Sequence, residues 1–164
     1  MKFLYLIRHA KSSWDEPGTG DAERPLLKKG IDKTRKVIRF LNDRSIKADL
    51  IISSPAVRAF ETAKLVAAGT GYPESGIRIE KAIYEGDPAE MAELISGTPD
   101  KVGSLMVFGH NPSITGLANR FIHPAIEMLP TTGVVCISFD TGSWDKISTA
   151  KAVKSFVVYP KMLE

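Results

Sequence analysis

Short apolar runs of strand length, separated by segments of helical periodicity, constrain this chain more than any other feature. Residues 3–7 (Phe-Leu-Tyr-Leu-Ile), 50–52 (Leu-Ile-Ile) and 105–108 (Leu-Met-Val-Phe) read as buried strands. Between them, residues 28–43 carry Ile31, Ile38 and Leu41 on one helical face. Residues 112–121 place Ile114, Leu117, Ala118 and Phe121 at i, i+3, i+4 and i+7. Further helices are expected over 55–68 and 89–95, a short strand over 77–80, and late strands over 134–139 and 152–159 with a hairpin around Gly142-Ser143. This alternation predicts an α/β fold with a mixed, mostly parallel sheet flanked by helices. Residues 11–25, rich in Ser, Gly, Pro and Asp, read as a long loop of the kind that often carries function. With no repeat or linker, residues 1–164 are expected to form a single domain.

Composition narrows the class. Hydrophobic residues make up 43% and charged residues 25%, an ordinary globular balance. The apolar runs are too short to cross a bilayer, and the five apolar residues after Met1-Lys2 stop at Arg8, so neither a membrane partner nor a leader is expected. A net charge of +3 without a dense Lys/Arg run among aromatics predicts no nucleic-acid partner, and the basic residues between Lys28 and Arg39 follow the spacing of a solvated helix face. Cys136 is the only cysteine, which excludes an intrachain disulfide and fits a cytoplasmic location. It lies in an apolar run and lacks the trailing Arg loop of a cysteine-based phosphatase, so it is expected in the core.

The chemistry-bearing residues stand at the ends of the three best strands. The first runs into Arg8-His9, the second into Ser53-Ser54-Pro55 with Arg58 soon after, and the third into Gly109-His110-Asn111-Pro112. Ligands of open α/β sheets bind at the carboxyl ends of the strands, so these segments should meet in one crevice. Ser54 and Asn111 suit helix N-caps and Pro55 and Pro112 suit first helical positions, which would aim two helix N-termini at that crevice. Two arginines and two helix ends describe a site for a doubly charged oxyanion, with phosphate the leading candidate. His9 would be the nucleophile, its neutral form favoured by Arg8 and Arg58 and its tautomer fixed by a partner such as a backbone carbonyl. His110 would donate to the equatorial phosphoryl oxygens. His123, beside Pro124, has no partner motif and is read as structural; Trp14 and Trp144 are read as packing. No HExxH, CxxC, GxxxxGK[ST] or GxGxxG pattern is present, so metal-centre and nucleotide-fold readings have no support.

These residues resemble the histidine phosphatase superfamily, whose fold is shared by phosphoglycerate mutases and histidine acid phosphatases. The likeness rests on Leu6-Ile7-Arg8-His9-Ala10, on Ser53-Ser54-Pro55-Ala56-Val57-Arg58-Ala59 with Glu61-Thr62-Ala63, and on Phe108-Gly109-His110-Asn111-Pro112. Asp21-Ala22-Glu23-Arg24-Pro25-Leu26 and the short chain are most similar to the SixA-type phosphohistidine phosphatases. The resemblance implies a phosphoglycerate mutase-like sandwich, no cofactor, a phosphoryl group surrounded by Arg8, Arg58 and His110, and His9 as nucleophile. It implies a phosphorylated substrate, with a phosphohistidine-bearing protein as the expected partner, since the short chain leaves little room for a helical lid. Many relatives use a Glu as proton donor, for which Glu85 in Tyr84-Glu85-Gly86-Asp87 is the nearest candidate. Ala10 stands where many members carry Gly, and Leu27 where a Ser or Thr would often cap the first long helix, predicting a ragged start there. The alternatives are a small-molecule or sugar-phosphate phosphomonoesterase and, in another class, a non-catalytic phosphate-binding module; a mutase, needing an enclosed pocket, fits less well.

Overall fold

The computed structural model describes residues 1–13, 20–150 and 152–164. Six strands form one sheet: β1 (Lys2–Arg8), β2 (Leu50–Ser53), β3 (Arg78–Ile79), β4 (Ser104–Gly109), β5 (Val134–Phe139) and β6 (Ala152–Val158). Their order across the sheet is β3-β2-β4-β1-β5-β6. The first four in that order run parallel, whereas β5 is antiparallel to β1 and β6 to β5. The sheet is therefore mixed and mostly parallel, as the alternation predicted.

The helices are α1 (Lys28–Asp43), α2 (Val57–Thr70), α3 (Ala82–Glu85), α4 (Pro88–Ser96) and α5 (Ser113–Asn119). Successive strand residues point to opposite faces, and both faces are covered, which is why the central strands are continuously apolar. On one face Leu4, Leu6, Leu105, Val107, Val135 and Ile137 pack with Met91, Ile95, Ile114 and Leu117 of α4 and α5. On the other, Tyr5, Ile7, Met106, Phe108, Val134 and Cys136 pack with Val37, Leu41, Ala63 and Val66 of α1 and α2. Burial pushes the Cys136 thiol up to about 12, consistent with its reading as a core residue. No helix among the described residues is long and apolar enough to cross a membrane.

Several local expectations change. The buried stripe of α1 is Gly30, Thr34, Val37 and Leu41, with Ile31 and Ile38 only partly covered. A polar residue joins that stripe because the Thr34 hydroxyl donates to the Gly30 carbonyl at 2.8 Å and meets Thr132 Oγ1 at 3.2 Å. Leu27 gives α1 no side-chain cap, yet the entry is fixed, since the Leu27 N–H donates to the Lys11 carbonyl at 2.9 Å. The expected hairpin of β5 and β6 forms, but its connection is wide: Phe139 pairs with Ala152, and a 3-10 turn over Trp144–Lys146 follows Gly142-Ser143. Trp144 accounts for that width. It is fully buried, and its indole N–H donates to the Val102 carbonyl at 2.6 Å. Trp14 and part of the 11–25 loop lie outside the described residues.

Gly30 ties the fold to the β1 exit. A Cβ there would lie 2.5 Å from the Lys11 carbonyl oxygen and 2.9 Å from its nitrogen, both backbone atoms two residues beyond His9. Replacing Gly by Ala in a helix ordinarily stabilises by roughly 0.5–1 kcal/mol. Here overpacking outweighs that gain, and Gly30→Ala is expected to destabilise by about 1–3 kcal/mol in urea unfolding. A raised unfolding midpoint would contradict this close approach.

Candidate active site

Strand register brings the chemistry together. Arg8 pairs with Gly109 and Ser53 with Phe108, so β1, β2 and β4 end level. Beyond the last pairs, the His9 N–H donates to the Gly109 carbonyl at 3.1 Å and the Ser54 N–H to the Phe108 carbonyl at 3.0 Å. The crevice at these ends has a volume of about 510 Å³ and is lined by Arg8, His9, Arg58 and His110 together with Asp21, Arg24 and Tyr84. Ile83, Asn111, Pro112 and Ser113 complete its wall.

The turns after β2 and β4 are not the capped helix starts that their Pro residues suggest. α2 begins at Val57 with Ala56 as its N-cap, and α5 at Ser113 with Pro112 as its N-cap. Ser54 and Asn111 are diverted to other partners. Ser54 Oγ accepts from the Ala56 N–H at 3.1 Å and lies 2.7 Å from His110 Nε2. The Asn111 amide donates to the Leu129 carbonyl at 2.8 Å, while its oxygen accepts from the Thr115 hydroxyl. Arg58 nevertheless sits in the first turn of α2, where its guanidinium reaches the crevice.

His9 is buried, and its Nδ1 lies 2.7 Å from the Ala10 carbonyl oxygen. A carbonyl can only accept, so Nδ1 carries the proton and Nε2 the lone pair. The Ala10 N–H in turn donates to Thr62 Oγ1 at 2.9 Å, and that hydroxyl donates to the Arg58 carbonyl at 2.7 Å. Burial first, and then Arg58, Arg8 and Arg24, lower the His9 pKa to about 4 against the pull of the Ala10 hydrogen bond. The arginines act in the direction read from the sequence, but burial is the larger cause. His110 falls to about 3, again by burial first, then by Arg58 and His9. Both rings are therefore neutral near pH 7, with centroids 5.3 Å apart.

Asp21 organises the arginines. It accepts from Arg58 Nη1 at its backbone carbonyl, 2.6 Å away, and from Arg58 Nη2 at its carboxylate, 3.0 Å away. Arg24 Nη2 lies 3.3 Å from the same carboxylate, and the Tyr84 hydroxyl donates to it. The Tyr84 hydrogen bond is the largest influence holding the Asp21 carboxyl below its usual range, with Arg58 adding to it. Arg8 donates to the Leu129 carbonyl at 3.1 Å. Arg8 Nε, Arg58 Nε and His110 Nδ1 are buried without a hydrogen-bonding partner among the described residues.

Of the residues singled out in the sequence, Arg8, His9, Arg58 and His110 converge here. Glu85 does not: it is exposed at the last residue of α3 and outside the crevice lining, whereas Tyr84, one position earlier, lines it. Successive helical residues are rotated by about 100°, so one step separates wall from water. His123 is exposed and also apart from the lining. Sequence reasoning missed Asp21, Arg24 and Tyr84 as wall residues. The first two lay within a quoted motif, but their pairing with Arg58 depends on a tertiary approach. No group of three or more His, Cys, Asp and Glu among the described residues could hold a metal ion.

Comparison with known proteins accords with this fold. The family model of the histidine phosphatase superfamily (branch 1) matches residues 4–102. An uncharacterized chloroplastic protein of Arabidopsis thaliana is 32% identical over 152 residues, covering 87% of this chain and 69% of its own. The phosphohistidine phosphatase SixA of Escherichia coli K12 is 24% identical over 139 residues, covering 84% of this chain and 85% of its own. The solved structure of the protein histidine phosphatase SixA complexed with tungstate superposes with a TM-score of 0.85 at 20% identity, over 99% of both chains.

The depressed histidine pKa values make stability depend on pH. As pH falls below about 6.5, the unfolded chain protonates first, while the folded chain resists until about pH 4 for His9 and about 3 for His110. Stability from this source is complete above about pH 6.5 and declines below it. Between pH 7 and 4.5 the expected loss is on the order of 2 kcal/mol for each histidine. Urea unfolding of the wild type and of a His9→Asn/His110→Gln variant measures it: the variant should show the shallower decline, and equal pH slopes would contradict neutral histidines.

Proposed function

The chain belongs to the histidine phosphatase superfamily, and from that membership we propose that it is a metal-independent hydrolase that transfers the phosphoryl group of a phosphorylated substrate, a phosphohistidine-bearing protein, through His9 to water. The observation that carries this reading is His9 itself, with Nδ1 held by the Ala10 carbonyl and the lone pair left on Nε2, among Arg8, Arg58 and His110. Neutral imidazole is a competent nucleophile toward phosphorus, and its depressed pKa keeps it neutral.

In the first step the Nε2 lone pair forms an N–P bond while the bond from phosphorus to the leaving nitrogen breaks. The departing imidazole keeps that electron pair and leaves neutral when its other nitrogen is protonated. In the second step a water oxygen forms the new P–O bond, the N–P bond breaks with its electron pair returning to Nε2, and the proton lost by water passes to solvent. Inorganic phosphate departs and His9 is restored. Arg8 and Arg58 stabilise the charge on the equatorial oxygens, doing electrostatically what a metal ion does in other phosphatases.

The choice of phosphohistidine rests on the likeness to SixA and on the acid–base character of the wall. Among the described lining residues Asp21 is the one carboxylate, and it is held ionised, so it is not poised to protonate a leaving alkoxide. A phosphohistidine expels an imidazole that needs no such acid. The Asp21 side chain is also about half exposed, at 51%, which suits access from a protein surface.

Brief incubation with a labelled phosphohistidine protein in the presence of chelator, quenched in alkali, is expected to trap label on His9. His9→Ala should lose both the label and turnover. Full activity in His9→Ala, or a strict requirement for divalent metal, would overturn the mechanism.

Glu85 has no part in phosphohistidine hydrolysis on this reading. Glu85→Gln should leave that rate within about threefold, because a general acid ordinarily contributes about a hundredfold or more and none is required here. A hundredfold loss with the phosphohistidine substrate would restore Glu85 as proton donor.

A further inference from the structure

Ser54 has no exposed surface, and its hydroxyl has two neighbours. The Ala56 N–H, at the start of α2, donates to Oγ at 3.1 Å, and His110 Nε2 lies 2.7 Å from Oγ. A serine hydroxyl holds one proton. Were Nε2 also protonated, Oγ would accept from both neighbours, and its own proton would be buried with no acceptor among the described residues, an arrangement that folded proteins avoid. The Ser54 proton finds an acceptor only when the Ala56 N–H donates to Ser54 Oγ and the Ser54 O–H donates to His110 Nε2, which leaves the one unpaired ring proton on Nδ1.

We infer that Ser54 is a positioning residue of the phosphoryl site, fixing the ring proton of His110 on Nδ1. This rests on the proposed function of the crevice. Nδ1 is the ring nitrogen of His110 that is buried without a partner among the described residues, in a ring that lines the crevice. The two histidines thus complement each other. His9 is held by a carbonyl acceptor and presents a lone pair, whereas His110 is held by a hydroxyl donor and presents an N–H. The opposite tautomer of His110 would set a nitrogen lone pair against phosphoryl oxygens, turning attraction into repulsion. Ser54 can hold this role because its own backbone is anchored, its N–H donating to the Phe108 carbonyl two residues before His110.

Nitrogen-15 NMR of the full chain with labelled histidine tests this, with His110→Gln supplying the assignment. His110 is expected to carry its proton on Nδ1, and inorganic phosphate should move that proton downfield. In Ser54→Ala the His110 nitrogens should shift toward a mixture of tautomers and kcat should fall about 10–100-fold, the scale seen when a partner that orients a functional histidine is lost. The His9 nitrogen pattern should be unchanged, and Ser54→Thr should restore both the spectrum and the rate. A wild-type spectrum with the proton on Nε2, or a Ser54→Ala spectrum with Nδ1 still fully protonated, would overturn the inference. If Ser54→Ala does not fold, the wild-type and Ser54→Thr spectra decide. Failure to trap a phosphoryl group on His9 would instead count against the proposed function, so the two failures are distinguishable.

Discussion

The register of β4 between β1 and β2 is the constraint on which the site depends. Arg8 opposite Gly109 and Ser53 opposite Phe108 make three parallel strands end at one level. The carbonyls of Phe108 and Gly109 then hold the next residues, Ser54 and His9, as extensions of the ladder. A slip of one residue would send every side chain to the opposite face, moving Leu105 and Val107 out of one core and Met106 and Phe108 out of the other. Two filled cores therefore defend the placement of His9 beside His110. Precision in the crevice comes from packing tens of ångströms of strand, with short-range hydrogen bonds trimming the result.

Electrostatics explains why those residues tolerate one another. Arg24 and Arg58 are only 6% and 5% exposed, and two buried guanidinium groups side by side demand a counter-charge. Asp21 provides it, while the Tyr84 hydroxyl and Arg58 keep the carboxylate ionised. Three arginines, one carboxylate and two neutral histidines leave two positive charges around the crevice, matched to a phosphoryl dianion on the proposed reading. Burial neutralises the histidines at a cost in acid stability, and the same burial strengthens each remaining interaction with an anion.

Much of this was legible in the sequence, for a physical reason. Strands buried on both faces must be continuously apolar, and a chain leaving such a strand turns polar abruptly, so Arg8-His9 and His110 announce themselves. Arg58 could be placed because it falls in the first turn of the helix that follows a strand end. Ser54 and Asn111 were harder: their sequence context signals a helix cap, yet Ser54 combines a local bond from the Ala56 N–H with the distant His110, and Asn111 divides its amide between the distant Leu129 carbonyl and Thr115 four positions on. Asp21 reaches Arg58 across 37 positions, a contact that no local pattern encodes. Glu85 stands one helical step away from the wall. Chemical plausibility selected the carboxylate, but the rotation of α3 placed Tyr84 on the wall.

The Thr62 contact shows how far the site reaches into the scaffold. Its hydroxyl accepts from the Ala10 N–H and donates to the Arg58 carbonyl, so one buried side chain joins the β1 exit to the first turn of α2. Ala10 is the residue whose carbonyl fixes His9, and Arg58 is the residue that pairs with Asp21. Moving α2 relative to the sheet therefore disturbs the His9 tautomer and the arginine fork together. On the other side, the Thr132 N–H lies within hydrogen-bonding distance of the Arg8 and His9 carbonyls, while its hydroxyl meets Thr34 of α1. The β1 exit is thus clamped between two helices and the strand-leading loop by threonines whose hydroxyls are satisfied internally. Rigid backing of this kind allows unpartnered donors such as Arg8 Nε and Arg58 Nε to stay aligned without an acceptor of their own. Preorganisation has an energetic counterpart in those buried donors: they lower the stability of the free chain, and an oxyanion that accepted from them would recover the difference as binding.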